Sequence, residues 1–381
     1  MKKILEKMEE MVEVVEDHAR LPIEPLVSVF MTTYNHERFI TQALDGILMQ
    51  EVDFPYEIVI GEDKSTDGTR EIVCEYQRKH PDKIRLRLSR ENLWSHKLRN
   101  GVGVAAACRG KYIAMCEGDD CWTDPKKLQK QVDILEAHPE CSACFTNAAV
   151  ENENGDEQPS VYLGSGRPES LGLRPRRDYL SQIDLIWAWC VPTCTMVMRH
   201  EHVKVLPGWL SQIPAGDWGL GMILSERGPF KYLDINTATY RRHQGGVWTG
   251  RSAAQQWAHL VQLWKTYLPF APPEASRMLR EHLTEGLDHL RRHAIGDMTV
   301  QLETGRRAQG QLARQELLAF FGRNGYRGIC MDAWERYFQS AYFKGDLQGS
   351  RRRLAGLLAR HPEWLFRRGS LGQIVRTMRG F

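Results

Sequence analysis

Between residues 26 and 120, short strand-like segments alternate with helical patterns, and this alternation constrains the fold more than any other feature of the chain. The segments span residues 26–31, 57–61, 84–88 and 111–116, the first of them wholly apolar but for Ser28. Each has the length of a buried strand and is too short for an ordinary helix. Between them, Ile40, Ala43, Leu44, Ile47 and Leu48 recur at helical spacing, as do Ile72, Val73 and Tyr76, and residues 101–108 form a third helical segment. Strands separated by whole helices require crossover connections, and so a mostly parallel sheet with helices on both faces. In open sheets of this kind, ligands bind outside the carboxyl ends of the strands. Three polar clusters fall at such ends, at residues 32–35, 62–67 and 117–120.

The flanking regions read differently. Ile4, Leu5, Met8, Met11, Val12 and Val15 lie on one helical stripe, which predicts an N-terminal helix within residues 1–25, before the breaks at Pro22 and Pro25. Residues 151–178 are polar and rich in Gly and Pro, the composition of a loop. After residue 250 helical patterns dominate, broken at Pro269, at Pro272-Pro273 and across 322–328, so residues 251–381 read as an all-helical C-terminal domain. Within it, residues 341–366 resemble one tetratricopeptide-type hairpin. The tail, residues 351–381, carries eight arginines and a single acid, Glu363. Leu371, Ile374, Val375 and Met378 form an apolar stripe there, so the tail reads as a docked terminal helix, with peripheral membrane contact as the alternative.

Composition excludes several classes. With 51 basic and 48 acidic residues the net charge is only +3, which argues against a nucleic-acid partner bound by the charge of the whole molecule. Glu6, Glu9 and Glu10 interrupt any signal-peptide core after Lys2 and Lys3. The longest largely apolar run, residues 185–198, has 14 residues and contains Pro192, short of the about 20 that a membrane span needs. Nine cysteines without a secretory signal fit a reducing compartment, and the chain is expected to be cytoplasmic. Neither Cys141-x-x-Cys144 nor Cys190-x-x-x-Cys194 is repeated in the manner of a structural zinc site.

The strand-end clusters carry the chemistry. Asp119 and Asp120 follow a buried strand, where adjacent carboxylates repel and a divalent cation relieves the repulsion. Carboxylates that leave a metal open positions suit Mg²⁺ or Mn²⁺ held jointly with substrate phosphates. Asp63 ends another strand, where a carboxylate accepts the N3–H of uracil or thymine, or the N1–H of guanine. Tyr34, at the neighbouring strand end, is placed to stack on such a base.

The segments Val27-Ser28-Val29-Phe30-Met31-Thr32-Thr33-Tyr34-Asn35, Glu62-Asp63-Lys64-Ser65-Thr66-Asp67-Gly68-Thr69 and Glu117-Gly118-Asp119-Asp120-Cys121-Trp122-Thr123-Asp124-Pro125 resemble family 2 glycosyltransferases. The resemblance continues at Lys127-Leu128-Gln129-Lys130-Gln131, Gly216-Asp217-Trp218 and Tyr240-Arg241-Arg242-His243-Gln244-Gly245-Gly246-Val247-Trp248, and covers about residues 26–250. It implies a GT-A catalytic domain, a Rossmann-like α/β fold that binds a nucleotide-sugar donor. Thr32, Tyr34 and Asp63 match nucleoside-holding positions, Asp119 the ribose contact, Asp120 the metal-binding carboxylate, Arg99 a position near the diphosphate, and Asp217 the catalytic base of inverting members. His243, between Arg241-Arg242 and Gly245-Gly246, is a candidate to join the metal or diphosphate, and Trp248 an acceptor platform. Lys64 and Leu93-Trp94 depart from the family pattern.

The expectation is therefore an inverting, metal-dependent transferase using Mn²⁺ or Mg²⁺ and a UDP-sugar, with dTDP- or GDP-sugar behind it. The expected acceptor is a hydroxyl of a saccharide or lipid-linked saccharide. Two rivals remain at this stage: a nucleotide-sugar-binding protein without transfer activity, and a scaffold built on the helical C-terminal part.

Overall fold

The computed structural model describes residues 2–153, 160–163, 178–187, 189–213, 216–304, 306 and 311–343. Most of the loop expected across 151–178 lies outside the described residues, as do the basic tail and all but the start of the hairpin expected at 341–366. The chain divides into two compact units, Met1–Thr249 with Gln262–His282, and Gly250–Val261 with Leu283–Phe381.

The first unit begins with α1 (Lys2–Glu10) and β1 (Val12–Val15), followed by β2 (Val27–Thr33), α2 (Ile40–Leu48), β3 (Tyr56–Glu62), α3 (Thr69–Lys79) and β4 (Ile84–Ser89). The helix expected to run through Val15 thus ends at Glu10. Val12, Val14 and Val15 pair instead with the edge of β4, in the register Val12 to Ser89, because β-branched side chains fit a pleated ladder better than a last helical turn. Next come α4 (Asn100–Ala107), β5 (Tyr112–Met115), β6 (Cys121–Trp122), α5 (Lys127–Ala137), β7 (Ala143–Asn152), β8 (Ser160–Val161), β9 (Tyr179–Leu180) and α6 (Gln182–Trp187). β10 (Val197–Arg199), α7 (Gly216–Ser225) and β11 (Phe230–Arg242) complete the sheet region.

The sheet order is β1-β4-β3-β2-β5-β10-β7-β11-β6, with β8 on β7 and β9 on β11. The block β4-β3-β2-β5 is parallel, β10 runs antiparallel between β5 and β7, and β7 and β11 are again parallel. Alternate residues of the central strands enter two different cores. Val27, Val29, Met31, Ile58 and Ile60 pack with Ile40, Ala43, Leu44 and Ile47 of α2. Phe30, Val59, Ile113 and Met115 pack on the other face with Val104 of α4. Because both faces are covered, the strands read as unbroken apolar runs rather than as alternation. The expected α/β class with a helix-covered sheet is the observed one.

The helices α8 (Ala253–Tyr267) and α9 (Pro273–Thr304) pass through both units, and α10 (Arg314–Phe343) belongs to the second. Pro273 opens α9 at the helix position that tolerates proline best. Gly322 interrupts α10 with φ +65°, a conformation that glycine adopts without a Cβ penalty. The second unit has its own core of Ala254, Ala258, Leu290, Ala294, Ile295, Leu312, Leu317, Ile329 and Ala333. Among the described residues, no helix is long and apolar enough to cross a membrane.

Candidate active site

The ends of β2, β3 and β5 lie side by side, so their following loops form one edge. Two of these loops are laced together. Asn35 Oδ1 accepts the Thr66 N–H at 2.8 Å, Ser65 Oγ accepts the Asn35 N–H at 3.0 Å, and Thr69 Oγ1 accepts the His36 N–H at 2.8 Å. Asp67 accepts the Glu37 N–H at 3.1 Å, so this conspicuous acid is a brace. Asn35 and Lys64 hold left-handed backbone, φ +57° and +61°, which orients the chain on either side of Tyr34 and Asp63. Tyr34 is exposed, whereas Asp63 is buried and accepts the Leu93 N–H at 2.7 Å. Burial raises the Asp63 carboxyl above its ordinary range, against the opposing hydrogen bonds from the Leu93 and Trp94 backbone. Thr32 contributes its carbonyl to the Gly118 N–H at 3.1 Å, tying the first cluster to the third.

The third cluster brings together residues far apart in sequence. His243 Nε2 lies 3.1 Å from Asp119 Oδ2, and His36 Nε2 lies 3.7 Å from the same oxygen. Ligand atoms of His36, Asp119 and His243 all fall within 4.8 Å of one another. Burial opposes ionisation of Asp119, but the hydrogen bond from His243 and the charges of His36 and His243 together hold its carboxyl below the usual range. Burial lowers the His36 imidazole, with Asp119 pulling the other way. A carboxylate and an imidazole meeting at this spacing have the donor chemistry to hold a divalent cation.

Asp120, expected as the metal-gripping carboxylate, is turned elsewhere. It is 3% exposed and its Oδ1 accepts the Arg241 N–H at 2.8 Å. Burial and the neighbouring charge of Asp119 push its carboxyl well up. The Arg241 guanidinium is also committed, to Glu151 Oε2 at 3.0 Å, to the Asp119 carbonyl at 3.1 Å and to Gln42. Arg241 therefore braces the acidic turn.

Asp217 sits in the first turn of α7, where Thr193 Oγ1 donates to its Oδ2 at 3.1 Å. Burial raises its carboxyl, while the Trp218 backbone, Thr193 and Arg99 oppose the rise. Its charge also reaches Glu117 and Tyr240. Arg99 is held by the Ile213 carbonyl and lies 5.5 Å from the centre of the half-exposed Trp94 ring. Trp248 is 37% exposed on the segment that follows His243.

The sequence assigns no role to two residues of the site, although Glu117 lies within the polar cluster at 117–120. His36 stands one residue beyond the polar cluster at 32–35, and only the folded strand order sets it against residues 119 and 243. Glu117 Oε2 is buried without a hydrogen-bond partner, and burial, followed by the charges of Asp120 and Asp119, pushes its carboxyl well above the usual range.

Residues 28–206 match the sequence model of glycosyl transferase family 2, which takes in the three strand-end clusters. These residues form a family 2 glycosyltransferase domain. An uncharacterized protein of Mycobacterium tuberculosis is 37% identical over 226 residues, covering 58% of this chain and 60% of that protein. The chain thus spans about 60% of the length of this relative. The dTDP-rhamnosyl transferase RfbG of Shigella flexneri is 26% identical over 227 residues, covering 56% of this chain and 72% of that protein. Among solved structures, residues 1–349 of Staphylococcus aureus TarS in complex with UDP superpose with a TM-score of 0.52 at 17% identity, covering 84% of this chain and 91% of that one. At that identity the likeness speaks to the fold, and the glycosyltransferase domain shares the GT-A architecture.

Proposed function

We propose that this chain is an inverting glycosyltransferase that moves a sugar from a uridine or thymidine diphosphate donor to an acceptor hydroxyl of saccharide type. The observation that carries the reading is the shared edge of β2, β3 and β5. In this reading that edge carries Asp63 as the base-reading carboxylate and Asp119 as a cation-binding one; His243, from the end of β11, meets Asp119, and the charge of Asp217 on α7 reaches Glu117. The kinship with a dTDP-rhamnosyl transferase fits the same pyrimidine chemistry, since uracil and thymine both offer an N3–H to Asp63.

Each residue has a task in this reading. Tyr34 and Thr32 border the nucleoside, and Asp63 accepts the base N–H. Asp119 and His243 hold the divalent cation, Mn²⁺ or Mg²⁺, while Asp120 keeps the turn in shape through Arg241. When bound, the cation supplies positive charge to the departing diphosphate. Arg99 adds fixed positive charge near Asp217. Asp217 takes the proton of the acceptor hydroxyl as that oxygen attacks the anomeric carbon from the side opposite the diphosphate. Its carboxyl, raised by burial, is a better proton acceptor than an ordinary aspartate.

The test is a thermal-shift series with UDP, dTDP, GDP, CDP and ADP, each with and without Mn²⁺, followed by release of the diphosphate from the selected sugar donor. A metal-dependent shift with UDP or dTDP is expected; saturation at about a hundred times the dissociation constant stabilises by about 2.7 kcal/mol. Asp217→Asn is expected to keep that shift and to lose about 10²–10⁴-fold in transfer rate. A folded protein that responds to none of the diphosphates overturns the reading.

A further inference from the structure

In the reading above Asp119 and His243 are two ligands of the cation, and the structure sets the imidazole of His36 beside them. His36 Nε2 lies 3.7 Å from Asp119 Oδ2, and His243 Nε2 lies 3.1 Å from it. Two donors at about 2.1 Å from one ion and roughly 90–110° apart are separated by about 3.0–3.4 Å, close to both distances. The other nitrogen of His36 is already supported: Nδ1 lies 3.2 Å from Thr33 Oγ1. An Nδ1–H donated to that hydroxyl leaves the Nε2 lone pair facing Asp119, which is how metal-bound histidines are commonly oriented. The backbone protects this arrangement. A Cβ on Gly118 would come within 2.6 Å of Thr33 Oγ1 and 2.9 Å of His36 Nδ1, so the residue before Asp119 has room for no side chain.

We propose that His36 is a protein ligand of the cation, completing a two-imidazole, one-carboxylate set with His243 and Asp119. This rests on the reading of Asp119 and His243 as the cation-binding pair, and it carries two consequences. Imidazole nitrogen favours first-row transition ions, whereas Mg²⁺ prefers oxygen donors and water, so the site selects Mn²⁺ and its neighbours over Mg²⁺. Three protein ligands also hold the ion before the nucleotide arrives, in contrast to a site that a diphosphate must complete.

The experiment uses the full chain stripped with EDTA and titrated with Mn²⁺ alone. Free Mn²⁺ is followed by its solution EPR signal, and the bound ion by the nitrogen modulation of its pulsed EPR spectrum. The expected result is one bound Mn²⁺ per chain without nucleotide, coupled to two imidazole nitrogens, and displaced by Mg²⁺ only at an excess of about a hundredfold or more. His36→Gln is expected to leave one nitrogen coupling and to weaken Mn²⁺ binding by at least about tenfold, the lower bound set by what outer-shell partners of metal ligands contribute. A single nitrogen coupling in the wild-type chain, Mg²⁺ competing on equal terms, or no binding of Mn²⁺ alone would overturn the proposal. The nitrogen count comes from the wild-type spectrum and does not depend on the variant folding. Failure of the donor reading looks different: two nitrogens on a bound Mn²⁺, with no response to any nucleoside diphosphate.

Discussion

Two buried carboxylates at opposite ends of the central sheet, Glu57 and Glu117, are treated in opposite ways. At the amino ends, Glu57 at the start of β3 is fully enclosed and fully partnered. It accepts from Ser28 Oγ at 2.7 Å, from the Arg109 side chain at 2.7 and 2.9 Å, and from Arg85 at 3.1 Å. Burial alone would raise its carboxyl, but the bonds from Arg109 and Ser28 and the charge of Arg85 bring it below the usual range. At the carboxyl ends, Glu117 keeps a buried oxygen with no partner, and Asp120 is buried beside the charge of Asp119, so both are pushed up. A satisfied buried ion cluster holds strands together. A buried carboxylate left without a partner is costly to keep, and it is a candidate mark of a functional site.

That contrast is open to direct attack. The largest effect is expected from acidifying the site end. The kcat/KM of transfer should fall about tenfold per pH unit below the pKa of the base, with the acidic limb placed above the ordinary 3.8 of aspartate because Asp217 is raised by burial. A pH–rate profile with no such limb above that value would remove Asp217 from the role of base.

Glu57→Gln breaks the opposite end. It leaves Arg85 and Arg109 facing a neutral group and should cost about 3 kcal/mol in urea denaturation, at the low end for buried pairs because Arg109 is 35% exposed. Diphosphate binding at fixed temperature should be unchanged. Loss of binding with stability intact would reverse the assignment of the two ends.

Glu117→Gln sharpens the comparison through pH. The folded protein holds a proton on Glu117 that the unfolded chain gives up near 4.5, so the wild-type carboxyl costs stability as pH rises above 4.5. In EDTA, the variant should gain on wild type as pH rises above 4.5, by about 1 kcal/mol or more. Glu57 predicts the reverse sign: its contribution is present above 4.5 and is lost as pH falls below it. Parallel pH dependences for the two variants would erase the distinction. The smallest effect belongs to exposed Tyr34: Tyr34→Ala should weaken diphosphate binding by about 1 kcal/mol, the low end of base–aromatic stacking, and leave stability unchanged.

Much of this architecture is legible locally. The four strand-length segments become β2, β3, β4 and β5. Of these, β2, β3 and β5 are largely apolar because fully buried strands need no polar face, whereas β4 alternates Ile84, Leu86 and Leu88 with Arg85 and Arg87. The polar residues that follow β2, β3 and β5 are those that line the edge. Val12–Val15 shows where local pattern fails. Its stripe suits a helix, yet the open edge of β4 offers a ladder, and a partner 70 or more residues away is invisible to periodicity.

The sequence by itself determined the α/β class, the strand-end placement of Asp63 and Asp119, and the interest of Asp217 and His243, because each follows from apolar spacing or from a motif in one segment. Tertiary structure decided which carboxylate faces which neighbour. Asp119 and Asp120 are adjacent, but the chain turn sends one toward His36 and His243 and gives the other to the Arg241 N–H. It also brought in His36, which lies 83 positions before Asp119 and 207 before His243. No spacing rule connects residues that far apart. Only hydrogen-bonded strand order, and the absence of a side chain at Gly118, puts the three within reach of one ion.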